Sequence, residues 1–194
     1  IAHIAGDIPY HQAVVGEGAW YANATTRVLS EGKRCLIYGA SGAIGTAAVQ
    51  LAKVRGAHVT AVVGTRHMNL PGRLGADRVV NYETEDFTGL RETYDLVFDA
   101  VGKTSFRKCR QLLNEDGIFS ATDLGPGWSN IILSLFYGAT RSGRVRIPYP
   151  ENAPGFMQQL ARLMSEGKFQ GVFDRRVTFD EIADAFRYVE TGQK

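Results

Sequence analysis

At 194 residues, 44% hydrophobic and 22% charged, the chain is long enough to bury a substantial single core and has the composition of a globular protein. A formal net charge of +2 without any basic run is too weak to argue for nucleic acid or an anionic membrane as a bulk partner, so neither is expected and any positive site is local. No apolar stretch approaches the roughly 20 residues that span a bilayer, and the opening IAHIAGDIPYHQ has no charged segment leading into an apolar one, so no membrane partner and a cytoplasmic location are expected.

The chain opens on Ile rather than Met, which implies processing or excision from a longer chain, and residues 1–30 read as a lead-in to the first strand. Short runs rich in β-branched and aromatic residues then predict six strands: RCLIY at 34–38, VTAVV at 59–63, RVVN at 78–81, YDLVFD at 94–99, GIFSA at 117–121 and RVRIPY at 144–149. Apolar residues at helical spacing predict helices between them, at Ile44–Arg55, Met68–Leu74, Ser105–Leu113 and Asn130–Phe136. Two more helices follow over 156–166 and 179–190, the second with Asp180 and Glu181 in its first turn, where the helix dipole favours acids. Strand and helix in alternation imply parallel strands with crossover helices: an α/β, doubly wound parallel sheet of about six strands with helices on both faces. Cys35 falls in a strand and Cys109 on a helix, with no CxxC and no His spaced to share a metal, so both read as reduced, packed thiols and no metal site is expected.

The first strand runs into Gly39-Ala40-Ser41-Gly42-Ala43-Ile44-Gly45 and then an apolar helix. Counted back from the helix, Gly42 and Gly45 take the second and third positions of a G-x-G-x-x-G loop, with Ala40 in place of the first glycine. In such a loop one glycine lets the backbone approach a pyrophosphate, another lets the helix pack closely on the strand, and the helix N-terminus supplies oriented N–H groups. A tight structural turn would use the same residues. Position favours the phosphate seat, because the loop follows the first strand of an alternating chain and opens a helix.

An NAD-binding fold carries an acid at the end of the next strand to hold the ribose hydroxyls. Here that strand ends VVGTRH, with Gly64 where the acid would stand, and no Asp or Glu occurs from Gly32 through Ala76. Thr65 can donate a hydrogen bond and Arg66 can fork onto phosphate oxygens, so the expected cofactor is NADP(H); the competing reading leaves Arg66 a solvated loop residue. The missing acid argues against a methyltransferase. No tyrosine is followed by lysine four residues on, which argues against a short-chain reductase.

The stretches GASGAIGTAAVQLAKVRGAHVTAVVGTR, LGADRVVNYETEDF and YDLVFDAVGK closely resemble the medium-chain dehydrogenase/reductase superfamily, in particular its quinone oxidoreductase, zeta-crystallin-like branch. The resemblance continues through TDLGP, EGKFQGVFDRR and EIADAFRYVETGQK, and so covers nearly the whole chain. It implies a two-part, zinc-independent enzyme in which a GroES-like barrel carries most catalytic groups and a Rossmann domain holds NADPH for hydride transfer to a quinone, enone or other carbonyl substrate. On this reading residues 1–194 are the Rossmann domain, with 1–30 leading in from an absent barrel, 150–194 forming C-terminal helices, and both ends cut. Without the barrel no complete catalytic set is expected in the chain. A non-catalytic, NADPH-responsive binding or structural protein of the same fold is the alternative, which an upstream barrel in the parent reading frame would separate.

The same resemblance assigns the phosphate loop to Ser41, Gly42, Ala43, Ile44 and Gly45, beside Gly39, and the 2′-phosphate contacts to Thr65, Arg66 and Tyr82. It sets Val101 and Gly102 at the adenosine ribose and Leu124 and Gly125 near the nicotinamide, where plain core and turn is the competing reading. Tyr21 stands where relatives have a threonine near the nicotinamide, and Glu17 stands at a metal-ligand position of zinc-dependent relatives, without a Cys or His partner to make a site. The last strand is expected at a sheet edge. A homodimer through that edge, near Arg144 to Ile147, is expected, with Pro148 limiting the paired length.

Overall fold

A computed structural model describes residues 8–123, 129–139 and 144–191. Its strands are β1 Arg34–Tyr38, β2 His58–Val63, β3 Arg78–Asn81, β4 Tyr94–Asp99, β5 Leu113–Ala121 and β6 Val145–Arg146, in one parallel sheet of order β3-β2-β1-β4-β5-β6. The helices are α1 Tyr10–Ala13, α2 Gly16–Thr26, α3 Ala43–Val54, α4 Asn69–Arg73, α5 Phe106–Cys109, α6 Ser129–Ala139, α7 Ala153–Ser165 and α8 Ile182–Glu190, with short 3-10 turns at Thr65–His67, Phe87–Gly89, Arg110–Leu112 and Phe179–Glu181. This is the expected Rossmann-type doubly wound fold.

Strand residues are apolar in unbroken runs because both sheet faces are covered. Successive side chains point to opposite faces. Cys35 and Ile37 of β1 enter a core shared with α2, α3 and α7, among Ala19, Leu51 and Leu160. Leu36 enters the opposite core, with Phe106, Leu112 and Phe119. Each fully buried Leu, Ile or Phe contributes about 1.5–3 kcal/mol through area removed from water.

The order of strands reverses between β1 and β4, so the crossovers leave these two strands in opposite directions. Open α/β sheets bind ligands in the crevice at such a switch point, outside the carboxyl ends of the strands.

Four departures from the expected elements have local causes. The stretch 16–26 forms a helix, α2, although its small residues give no apolar stripe: Ala19 and Ala22 are fully buried, and a Cβ on Gly18 would already stand 3.4 Å from the Ala43 carbonyl. The helix expected over 105–113 is short, ending at Cys109 and tightening into the Arg110–Leu112 turn. Strand β5 starts earlier than expected, at Leu113, and its register against β4 shifts between Tyr94 and Leu96. Strand β6 pairs only at Val145 and Arg146, not over 144–149, and Pro148 beyond them has no N–H for a ladder.

Candidate functional site

The turn from β1 to α3 builds the first wall of the crevice. Gly39 takes φ +80°, which favours glycine, and the N–H groups of Gly39 and Ala40 both donate to the Val62 carbonyl at the end of β2, at 3.0 and 3.2 Å. Gly42 N–H then donates to the Gly39 carbonyl at 3.1 Å and closes the loop. The three glycines differ in what surrounds them. A Cβ on Gly45 would lie 2.1 Å from the Gly39 oxygen, so α3 sits against β1 too closely for any side chain, whereas a Cβ on Gly42 would meet nothing nearer than 3.6 Å. Gly42 is also the N-cap of α3, and no side chain caps the helix. Uncapped first-turn N–H groups and the positive end of a helix dipole are the features that can seat an anion.

The second wall comes from the ends of β2 and β3. Parallel pairing sets Val63 opposite Asn81, and the Tyr82 N–H donates to the Val63 carbonyl at 3.1 Å. Thr65 and Arg66 lie exposed in the 3-10 turn that follows Gly64. Tyr82 is half exposed, its ring edge-on to Tyr38 at 5.8 Å, and Tyr38 stacks on Phe87 at 4.8 Å. Burial pushes the Tyr38 hydroxyl above its ordinary pKa, with the charge of Asp99 adding to the shift. Although β2 itself ends without an acid, the fold supplies one: Glu83 Oε2 accepts the Thr65 hydroxyl at 2.7 Å.

The third wall is the exit of β4. Asp99, fully buried, accepts N–H groups from Val101 at 3.0 Å, Gly102 at 2.8 Å and Thr104 at 2.7 Å, which fixes the turn. Burial raises the Asp99 carboxyl above its ordinary value even against these three donors. Val101 is exposed, and its methyls stand so near Gly39 that a Cβ there would lie 2.8 Å from Cγ2. Gly102 takes φ +72°. The glycine loop after β1 and the exit of β4 are thus in contact at the switch point.

A cleft of about 430 Å³ in front of α3 is lined by Ser41, Gly42, Ala43 and Arg66, together with Thr46 and His67. The loop after α7 closes it with Val172, Phe173 and Asp174. Sequence reasoning missed these three; they lie inside EGKFQGVFDRR, and no periodicity or spacing marks them. Neither Glu17 nor Tyr21 lines this cleft: both lie on α2, Glu17 exposed in its first turn and Tyr21 with its ring 6.3 Å from that of Trp20. Leu124 and Gly125 fall outside the described residues. Among the described residues no three His, Cys, Asp or Glu side chains converge on a point that could hold a metal, and both cysteines are buried, Cys35 with its thiol pushed up to about 12 by burial and Cys109 to about 11.

Residues 74–194 match the family model described as zinc-binding dehydrogenase. The chain belongs to the medium-chain dehydrogenase/reductase superfamily. It is 30% identical over 212 residues to the mitochondrial NAD(P)H oxidoreductase RTN4IP1 of Mus musculus, covering 97% of this chain and 52% of that protein. To the 2-methylene-furan-3-one reductase of Solanum lycopersicum it is 32% identical over 171 residues, covering 84% of this chain and 39% of the reductase. The solved quinone oxidoreductase of Coxiella burnetii superposes with a TM-score of 0.78 at 24% identity, over 96% of this chain and 56% of that one, and shares the fold. The chain spans about half or less of the length of the relatives it matches.

Proposed function

We propose that this chain is the NADP(H)-binding domain of an oxidoreductase that moves hydride between NADPH and a quinone, enone or other carbonyl substrate. The observation that carries the reading is the contrast within the loop: Gly45 is closed by the β1 backbone while Gly42 is open, in front of an uncapped helix at the switch point of the sheet. A turn with only a structural role needs the first feature and not the second. Ser41 to Gly45 would hold the pyrophosphate on backbone N–H groups, and Val101 and Gly102 would border the adenosine ribose. Thr65, Arg66 and Tyr82 would face a 2′-phosphate, Arg66 by charge and the two hydroxyls by hydrogen bonds. Leu124 and Gly125 are proposed beside the nicotinamide. The cofactor, when bound, supplies the hydride; this chain's part is to bind and orient it. No step is assigned to zinc. The substrate class follows the family branch and the reductase activity named for the tomato relative.

Titration calorimetry of the 194-residue chain with NADPH and NADH tests the reading. NADPH is expected to bind more tightly by about 1.5–3 kcal/mol, and Arg66→Ala to lose most of that margin. Equal affinity, or preference for NADH, overturns the assignment of Thr65 and Arg66.

The domain division proposed with this reading keeps 1–194 as one cofactor-binding unit, reached through 1–30 and closed by the helices of 150–194. A cytoplasmic location goes with it; among the described residues no helix is long and apolar enough to cross a membrane. Self-association through β6 is the remaining part of the proposal. Among the described residues the outer edge of β6 has no strand neighbour, and Arg146, Ile147 and Tyr149 are exposed along it. Val145 is buried, so a proline there would damage the sheet itself, and the cleaner variant is Ile147→Asp. Sedimentation should find a wild-type dimer and a folded, dissociated variant; a monomeric wild type overturns the interface.

A further inference from the structure

Gly64 leaves the end of β2 without an acid, and the neighbouring strand brings one to the same place. With Val63 opposite Asn81, the chain leaving β3 runs beside the turn at Gly64 and Thr65. A Cβ on Gly64 would lie 2.7 Å from Glu83 Oε1 and 3.0 Å from the Tyr82 hydroxyl, while Oε2 of the same carboxylate takes the Thr65 hydroxyl at 2.7 Å. Asn81 holds both partners: its Nδ2 donates to Thr65 Oγ1 at 2.8 Å and its Oδ1 accepts the Glu83 N–H at 3.0 Å. With Asn81 donating to the Thr65 oxygen, the single proton of that hydroxyl is directed at Glu83. The carboxylate therefore fills the volume that Gly64 vacates and uses the donor that the proposed 2′-phosphate would use.

We infer that Glu83 is a specificity-determining residue of the adenosine end, an internal anion seated where the 2′-phosphate would bind. This rests on the cofactor reading above. NADPH has to displace the carboxylate from Thr65 and then sit beside a like charge. NADH does not, because a ribose diol can donate to a carboxylate, as it does to the acid of an NAD-binding strand. Glu83 thus works against Arg66, and the two charges together set the margin between the cofactors.

The test titrates the full 194-residue chain and its Glu83→Gln and Glu83→Ala variants with NADPH and with NADH, following cofactor fluorescence. Both variants should bind NADPH more tightly by roughly fivefold or more, the size of one unit-charge repulsion at about 4 Å in water, while NADH binding stays equal or weakens. Glutamine keeps the size of the side chain and an acceptor for Thr65, so a gain common to both variants reports the charge. A gain in the alanine variant alone reports space and overturns the inference. A ratio of the two affinities within twofold of wild type in both variants also overturns it, and leaves the cofactor reading standing. Failure of the wild type to bind either cofactor removes the cofactor reading and this inference together.

Discussion

At the amino ends of the strands two aspartates tie neighbouring elements together: Asp95 accepts the Arg34 N–H at 2.8 Å and the Lys33 ammonium at 2.9 Å, and Asp77 accepts the Val59 N–H at 2.7 Å and Lys53 at 2.9 Å. At the carboxyl ends of β1, β2 and β4 the chain leaves through Gly39, Gly64 and Gly102 instead, and α3 begins there without a side-chain cap. Both ends present strand N–H and C=O groups of the same kind. The amino end satisfies them from its own side chains; the carboxyl end does so after β4, through Asp99, but leaves the first turn of α3 without a side-chain cap and with space in front of Gly42. Side chains that complete the backbone contribute stability, and so does the close packing at Gly45, whereas the open backbone at Gly42 offers a place to bind, so changes at the aspartates and at Gly42 should fail in different measurements.

The largest expected effect lies at the carboxyl end and falls on stability. Gly45→Ala puts a Cβ 2.1 Å from the Gly39 oxygen and 2.8 Å from the Ala40 Cα, both backbone atoms that cannot rotate away. The helix has to leave the strand. A loss of about 3 kcal/mol or more in urea unfolding is expected, with cofactor binding lost as a consequence. A variant as stable as wild type would show that α3 can slide, and that the close packing at this end has no structural cost.

Gly42→Val sharpens the contrast from three residues away. The position has φ −77° and ψ 173°, which any residue adopts, and a Cβ there makes only an ordinary contact at 3.6 Å. Stability should stay within about 0.5 kcal/mol of wild type while NADPH binding, followed by fluorescence, is abolished, because the side chain enters the space in front of the helix. A folded variant that still binds would reduce the loop to a turn.

Legibility in the sequence divides along similar lines. β1 and β4 could be read to the residue because RCLIY and YDLVFD are buried on both faces and bounded by charged or glycine-rich chain. α2 could not, because its burial comes from smallness: Gly18 lets it approach α3, Gly16 lies against Met157 of α7, Ala19 and Ala22 are fully buried, and small residues leave no periodic stripe. β6 was read too long since Ile147 and Tyr149 look strand-like, while the ladder is decided by Pro148. In the site, the glycine loop was legible because it is contiguous. Glu83 was not, since its contact with Thr65 depends on how the turn after β3 lies against the turn after β2, which the strand order allows but no local pattern encodes.

The smallest effect belongs to the amino end, and it has a definite pH dependence. Burial opposes the charge on Asp77, but the Val59 N–H and Lys53 together outweigh it and hold the carboxyl below its ordinary value of 3.8. A carboxyl with a depressed folded-state pKa contributes stability above its unfolded pKa and loses it as pH falls through the folded one. Asp77→Asn keeps the shape and one acceptor but gives up the charge, and solvent screens the Lys53 side of the pair, since both side chains are 31% exposed. The expected loss is about 1 kcal/mol at neutral pH, and it should shrink as pH falls through the folded-state value of Asp77, which lies below 3.8, until wild type is protonated as well. NADPH affinity should not change, because Asp77 stands at the opposite end of the sheet from the cleft. Urea unfolding at a series of pH values checks the first part and cofactor titration the second. Stability curves that stay parallel into acid would assign the loss to packing, and a change in affinity would mean that the two ends of the sheet do not act separately.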